Sequence, residues 1–283
     1  MFKNNSNIFF TKNVNTKMKV NNYEYGFICG AAKFVNFTNS KGESFVANSD
    51  GTKFGTIVNN NFVPYRIFTS DVPSDPYNIP LTLEAMEAGA VITFDNKATG
   101  PVTYKVNGGE VQTIASGATG TITLENIGDK VEFFGDNKAY ATSSYINCSN
   151  IYCYKDCYVY GNIMSLVKSE GFENATTLEN GYTFASFFRT NEHIKNKSGA
   201  DLLLPATTLA VSCYNLMFSG CSSLASITCL ATNISASDCT TDWLSGVAAS
   251  GAFTKAAGMT GWTRDASGIP SGWTVQDYNP SGN

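Results

Sequence analysis

The tyrosines between residues 151 and 160 form a distinctive chemical pattern. Side chains in a β-strand point alternately to its two faces. One face would therefore carry Tyr152, Tyr154, Asp156, Tyr158 and Tyr160, and the other would carry Ile151, Cys153, Cys157 and Val159. The second face is predicted to be the core. A tyrosine ring is apolar with a polar tip, so a tyrosine row with a central carboxylate could bind sugar rings, or it could pack against a neighbouring domain or subunit.

Two tryptophans near the C-terminus allow a similar choice. Trp262 and Trp273 lie in GWTRDASGIPSGWTVQ, among glycine and proline residues. They could cover the end of a repeat array, or they could form an aromatic platform for a sugar.

Residues for other chemistry are scarce, so we expect no catalytic residues, no cofactor and no enzyme activity. The one histidine, His193, lies in a polar stretch that is typical of a solvated loop, and Glu84 and Glu87 are not fixed on a common cleft. A glycan-active enzyme would need two carboxylates about 5 to 9.5 Å apart, and the sequence identifies no such pair. The chain also has no glycine-rich phosphate loop and no nucleophile elbow.

The eight cysteines are concentrated after residue 147. Cys148, Cys153 and Cys157 lack the fourth ligand of a structural zinc site, so no metal is expected. The later four, at 213, 221, 229 and 239, lie beside small and apolar residues, which favours buried reduced thiols. Disulfide bonds remain an alternative if the protein works outside a cell.

Composition excludes several classes of partner. The 283 residues are 43% hydrophobic and 15% charged with a net charge of -4, which favours globular domains and argues against nucleic acid as a partner. No apolar run approaches the roughly 18 residues of a membrane span, so no membrane insertion is expected. The first twenty residues lack the apolar core of a secretory signal, which disfavours ordinary secretion if residue 1 is the native start.

The elements that position these residues fall into three predicted domains. Residues 1–75 are rich in asparagine and aromatic residues and predict a β-rich segment of short strands, followed by a proline-rich linker over 71–80. Residues 76–145 contain short alternating runs separated by turn formers such as Asn107-Gly108, which predicts an immunoglobulin-like β-sandwich. Residues 146–283 form the third domain.

The third domain contains an internal repeat. Ala175-Thr-Thr-Leu178 recurs as Ala206-Thr-Thr-Leu209 and as Ala231-Thr-Asn-Ile234, at intervals of 31 and 25 residues. Each copy is followed by aromatic or cysteine residues at spacings that suit one face of a helix. A strand and a helix in each unit predict a short α/β array that resembles a leucine-rich-repeat solenoid, with a C-terminal cap. The fold class predicted for the whole chain is thus mainly β with a short α/β repeat array.

Residues 202–276 resemble the BspA-type leucine-rich repeats of gut Bacteroides surface proteins and their phages. The segments GDKVEFFGDNKAY and CYVYGNIMSLV resemble the module that usually precedes those repeats. The chain is similar to head-fibre proteins of crAss-like phages, and residues 1–75 lie outside the match. This resemblance implies a virion structural protein, a head fibre or capsid decoration, with residues 1–75 as its virion anchor.

The same resemblance implies adhesion at the virion surface. The expected partners are capsid or other virion proteins, further copies in a homotrimer or homodimer, and host-surface or mucosal glycans. The alternative is a Bacteroides cell-surface leucine-rich-repeat adhesin without its signal peptide, located at the bacterial cell surface.

Overall fold

The protein is mainly β, as the sequence predicts. The computed structural model describes residues 76–143, 146–265 and 267–279, together with the backbone of eight short strands within residues 1–75. The chain separates into two compact units, Met1–Ser74 and Asp75–Asn283. The division falls within the proline-rich segment that the sequence predicts as a linker.

The described elements of the first unit are all strands. They are β1 (Ile8–Phe9), β2 (Met18–Val20), β3 (Tyr23–Glu24), β4 (Phe27–Ile28), β5 (Asn36–Asn39), β6 (Ser44–Ala47), β7 (Phe54–Val58) and β8 (Asn61–Pro64). Strand β1 pairs with β4, and the other six form a sheet in the order β3-β2-β5-β6-β7-β8. All of these pairs are antiparallel. The side chains of the predicted virion anchor lie outside the described residues.

The second unit begins with a paired-sheet region, residues 76–153. Its strands are β9 (Leu81–Ala85), β10 (Ala90–Asp95), β11 (Val102–Val106), β12 (Gln112–Ile114), β13 (Thr119–Leu124), β14 (Lys130–Gly135) and β15 (Asn150–Cys153). One antiparallel sheet has the order β12-β11-β14-β9, and the other has the order β13-β10-β15. Phe94 of one sheet meets Phe133 of the other, with ring centroids 5.4 Å apart. The two sheets therefore bury a shared core, as alternating strands require.

Strand β16 (Cys157–Asn162) connects this region to the rest of the unit. It pairs antiparallel with β9 on one side and parallel with β17 (Ile194–Asn196) and β18 (Leu202–Leu204) on the other. The parallel series continues through β19 (Ser226–Cys229), β20 (Gly251–Lys255) and β21 (Trp273–Asp277). A single ten-stranded sheet thus crosses residue 145, where the sequence predicts a domain boundary. We call residues 157–279 the stacked-coil region, one coil being a strand with the turns next to it.

The prediction of a helix in each repeat is wrong. Among the described residues the only helices are three short 3-10 segments, at Pro76–Asn78, Ile163–Leu166 and Phe172–Asn174. Consecutive turns occupy residues 181–190, 211–220 and 237–246 instead. A positive φ recurs in these turns at every fourth residue, a conformation that an α-helix excludes. The residues are Tyr182, Ser186, Thr190, Ser212, Leu216, Gly220, Asp238, Asp242 and Gly246.

The hydrogen bonds of these turns explain the difference. Every second N–H donates to a carbonyl of the next coil, as from Phe184 to Cys213 at 2.7 Å and from Tyr214 to Cys239 at 2.9 Å. These donors are therefore not available for the i to i-4 bonds of an α-helix. A four-residue turn period and a helical period of about 3.6 residues place apolar side chains almost alike over ten residues. The spacing of apolar residues alone therefore could not distinguish these turns from an α-helix.

Aromatic rings stack from coil to coil inside the stacked-coil region. We call this series the aromatic column: Tyr140, Phe184, Tyr214, Trp243 and Trp262. Successive centroids are 5.7, 6.3, 6.1 and 5.4 Å apart, and neighbouring rings lie within 21° of parallel. The column begins on Tyr140 of the paired-sheet region. Each coil therefore packs its ring against the rings of its neighbours, and the first ring joins the two regions.

The cysteines after residue 147 are mostly core residues, as the sequence predicts. Six of the seven described cysteines are buried, and none of the seven forms a disulfide. Burial raises the pKa of the Cys221 and Cys229 thiols to about 12, so these groups stay protonated and unreactive. No group of three or more potential metal ligands occurs among the described residues.

Within the described part of the chain, no helix has the length and apolar character needed to cross a membrane.

Candidate functional site: the tyrosine surface

The tyrosine row predicted on one strand is divided between two strands. Tyr152 belongs to β15, whereas Tyr158 and Tyr160 belong to β16, which lies in a different sheet. The predicted core face is confirmed, because Ile151, Cys153, Cys157 and Val159 are all 0% exposed. The alternation of the sequence is therefore right within each strand, and the chain changes sheets at residues 154–156.

Asp156 lies at this change of sheet and connects the two halves of the row. The protonated Nδ1 of His193 donates to Asp156 Oδ1 at 3.0 Å, and Lys195 Nζ donates to Oδ2. The Lys195 hydrogen bond, with a smaller effect of His193, holds the pKa of Asp156 below its usual value. Tyr152 packs edge to face against the His193 ring, with centroids 6.5 Å apart.

A second charged pair lies under the β16 tyrosines. Glu84 on β9 accepts from the Tyr160 hydroxyl at 2.7 Å and from Lys197 Nζ at 2.7 and 2.5 Å. The Lys197 ammonium is also 5.2 Å from the Tyr160 ring centroid and 5.9 Å from that of Tyr158, within cation–π range. Burial and the Glu84 carboxylate raise the pKa of Tyr160. Glu84 is thus engaged in positioning neighbouring side chains.

Three tyrosines of the row are open to a ligand. Tyr154 is 58% exposed, Tyr152 and Tyr158 are half-exposed, and Tyr160 is buried. Tyr152 and Tyr154 form an edge-to-face pair with centroids 5.1 Å apart, which holds both rings in place. We call Tyr152, Tyr154, Asp156, Tyr158 and Lys195 the tyrosine surface.

The structure places both C-terminal tryptophans against the last coils. Trp273 is 2% exposed and its Nε1 donates to the Ala248 carbonyl at 2.7 Å. Trp262 is half-buried and stacks on Trp243 as the last ring of the aromatic column. Both rings therefore pack within the end of the array, and we leave them out of the tyrosine surface.

Sequence reasoning missed the basic side chains at and beside this surface. His193 is half-exposed, but it is bonded to Asp156 and is not simply a solvated loop residue. Lys195 lies on β17 and Lys197 directly follows its last residue, Asn196, and this spacing of two was a signal that both lysines lie on one face. The sequence did not show which strand they would join, because β17 pairs in parallel with β16, which lies more than thirty residues earlier in the chain.

Comparisons of the chain with protein-family models, with curated proteins and with solved structures find no match. The resemblance to phage head-fibre proteins therefore rests on the sequence motifs given above.

Proposed function

We propose that this protein is a non-catalytic structural protein of a bacteriophage virion, a head fibre or capsid decoration that adheres to host-surface or mucosal glycans. The observation that carries the adhesive function is the tyrosine surface. It presents exposed rings beside a carboxylate and a lysine, on strands buried on their opposite face. Rings with apolar faces next to hydrogen-bonding groups suit the apolar and hydroxyl faces of a sugar.

We further propose that the paired-sheet region is an immunoglobulin-like sandwich and that the stacked-coil region is a short leucine-rich-repeat solenoid. The facing antiparallel sheets and the Phe94 to Phe133 contact support the sandwich. The parallel strands and the coil-to-coil hydrogen bonds support the solenoid. In this arrangement residues 1–75 anchor the protein to capsid or other virion proteins, as a homotrimer or homodimer. Many copies would then multiply weak glycan binding.

The location is tested by electron microscopy of purified particles from the source, labelled with antibody against residues 81–283. Regular label on a capsid or tail is the expected result. Label confined to bacterial envelopes would overturn the virion assignment and favour the alternative, a Bacteroides cell-surface adhesin.

Adhesion is tested separately with purified protein on immobilised mucin. Tyr154→Ala should reduce retention, because it removes the most exposed ring of the surface. Val211→Ala is the matched control, since Val211 is also exposed, at 47%, and lies in a turn of the stacked-coil region. Equal retention of both variants and the unaltered protein would contradict adhesion through the tyrosine surface.

A further inference from the structure

A second candidate site, a cleft, lies where the paired-sheet region meets the first coil. It is a cleft of about 340 Å³. The loop after β14 forms one wall, the segment that includes the 3-10 helix Ile163–Leu166 forms the floor, and the first Ala-Thr-Thr copy forms the opposite wall. The lining residues are Asp136, Lys138, Met164, Val167, Lys168, Asn174, Ala175, Thr176, Thr177 and Glu179. None of them belongs to the tyrosine surface.

The walls of this cleft are held in place by hydrogen bonds. The Asp136 carboxylate accepts from the Ser169 backbone N–H at 2.9 Å and from its hydroxyl at 2.8 Å. The buried Tyr140 hydroxyl donates to the Leu166 carbonyl at 2.7 Å, which ties the β14 loop to the floor. On the opposite wall, Thr177 forms a parallel bridge with Thr208 of the next coil. The site is therefore largely pre-formed, as small-ligand sites usually are.

The charges that line the cleft are balanced. Two lysines face two carboxylates, and Lys138 Nζ is 3.0 Å from Glu179 Oε2. An anionic ligand would meet both carboxylates, and a simple cation would meet both lysines, so neither is favoured by net charge. A neutral ligand with many polar groups meets no such repulsion.

The hydrogen-bonding groups of the lining also select a type of ligand. A carboxylate only accepts, an ammonium only donates, and a threonine hydroxyl does both. A carboxylate has about four lone-pair sites, and the Ser169 bonds use two of those on Asp136. Met164, Val167 and Ala175 add an apolar patch. A sugar ring has the complementary surface, with hydroxyls that donate and accept around its edge and C–H groups on its face.

We propose that this cleft binds a neutral mono- or disaccharide unit. The volume is at the small end of the range for ligand sites, which suits a single terminal sugar better than an enclosed chain. The site is distinct from the tyrosine surface, and it gives the same chain a second place to hold a glycan.

The test is a methyl NMR titration of the whole protein with labelled methionine and threonine methyl groups. The neutral probes are galactose, N-acetylglucosamine and N-acetyllactosamine. The acidic probe is 3′-sialyllactose, and the zwitterionic probe is glycylglycine. We expect a neutral probe to shift the Met164 and Thr177 methyl signals saturably. No shift with any probe, or tighter binding of the acidic or zwitterionic probe, would overturn the proposal.

Paired variants separate binding from a structural effect. Glu179→Gln replaces an acceptor oxygen with an amide donor, Thr177→Val removes a hydroxyl, and each should weaken sugar binding about three- to tenfold. Thr123→Val alters an exposed threonine of β13, and Lys97→Gln breaks an ion pair with Asp95; both positions lie outside the cleft. Both controls should bind as the unaltered protein does. Equal weakening by the controls would contradict binding in the cleft.

The proposal and the virion assignment fail independently. Virion label with no sugar binding to the cleft would overturn only the inference about the cleft. Sugar binding with label confined to envelopes would overturn only the virion location.

Discussion

The paired-sheet region and the stacked-coil region use the left-handed backbone conformation in different ways. In the paired sheets a positive φ occurs mostly at turn glycines, as in the Asn107-Gly108 hairpin turn. In the consecutive turns of the stacked coils it occurs mostly at residues that carry side chains, such as Ser186, Leu216 and Asp242. Such residues adopt this conformation at a cost, which their neighbours must offset. The coils therefore depend on one another, whereas the hairpin turns are favoured by their own sequence.

This difference predicts that the stacked coils are stable only as part of the whole second unit. Trp243 is 0% exposed, its Nε1 donates to the Gly268 carbonyl at 2.7 Å, and its ring lies between Tyr214 and Trp262. We expect Trp243→Ala to lower the free energy of unfolding by about 3–5 kcal/mol. Denaturant unfolding followed by circular dichroism measures the change.

The shape of that unfolding curve tests the dependence itself. Phe133→Ala, in the core of the paired sheets, is the matched variant, because Phe133 is also 0% exposed. Both variants should unfold the second unit in one transition, since the two regions share a sheet and a core. Separate transitions for the two regions would show that the coils are stable on their own.

The next largest effect is expected at the contact between the two regions. Tyr140 is 0% exposed and its hydroxyl donates to the Leu166 carbonyl. Tyr140→Phe keeps the ring in the aromatic column but leaves this carbonyl without its tyrosine donor. The expected cost is about 1–3 kcal/mol in the free energy of unfolding.

Tyr154→Phe is the control for that measurement, because the Tyr154 ring is 58% exposed. Water can take the place of the hydroxyl that this substitution removes. The control should change stability little. A Tyr140→Phe variant as stable as the control would mean that the hydrogen bond to Leu166 contributes nothing to joining the regions.

The two regions also differ in how far the sequence predicts them. Period-two alternation predicts the strands of the paired sheets, and in β11 the alternate residues Val102 and Tyr104 are buried. Alternation within one strand is a local signal of its buried face, although only β11 and β12 pair as a local hairpin and the other strands have distant partners. In the coils the donors of the turns bond to residues some 25 to 30 positions away, as from Phe188 to Met217. A pattern within one coil does not contain that information.

The tyrosine surface, like the coils, is only partly predictable from the sequence. The sequence predicts which faces of residues 151–160 are buried and that Asp156 lies among the tyrosines. It does not predict the change of sheet after Cys153, or that His193 and Lys195 reach Asp156 through the parallel strand β17. The cleft beside Thr177 was not predicted, because its three walls come from separate parts of the chain.

Single substitutions at two positive-φ positions directly test the difference in backbone conformation between the two regions. Gly108 has a φ of 67° in the paired sheets, and Asp242 has a φ of 51° in the stacked coils. Gly108→Ala should cost about 1 kcal/mol, because alanine is strained in this conformation. Asp242→Gly should be neutral or should stabilise by up to about 1 kcal/mol, since glycine removes the strain but loses more entropy on folding.

Thermal and denaturant unfolding of both variants supplies the comparison. Thr103→Val, at a half-exposed and extended position of β11, controls for a change of surface side chain and should be nearly neutral. Marked destabilisation by Asp242→Gly would mean that the aspartate side chain, and not the coil-to-coil bonding, fixes this turn.

The smallest effect is expected at Asp156, whose carboxylate partners, His193 and Lys195, both lie in the stacked-coil region. The Lys195 hydrogen bond lowers the pKa of this carboxyl in the folded protein. Its contribution to stability is therefore present above the unfolded pKa of about 3.9 and is lost as the pH falls through the folded pKa. Asp156→Asn should be less stable by under about 1 kcal/mol at neutral pH, because the carboxylate is partly exposed to solvent.

The pH dependence distinguishes this ion pair from a simple packing effect. The stability gap between Asp156→Asn and the unaltered protein should close as the pH is lowered, since the native carboxyl is then neutral as well. Asp95→Asn is the control, because Asp95 forms a half-exposed ion pair with Lys97 at the end of β10 in the paired sheets. If the Asp156→Asn gap is the same at every pH, the tyrosine surface is held by packing of Tyr152 on His193 and not by charge.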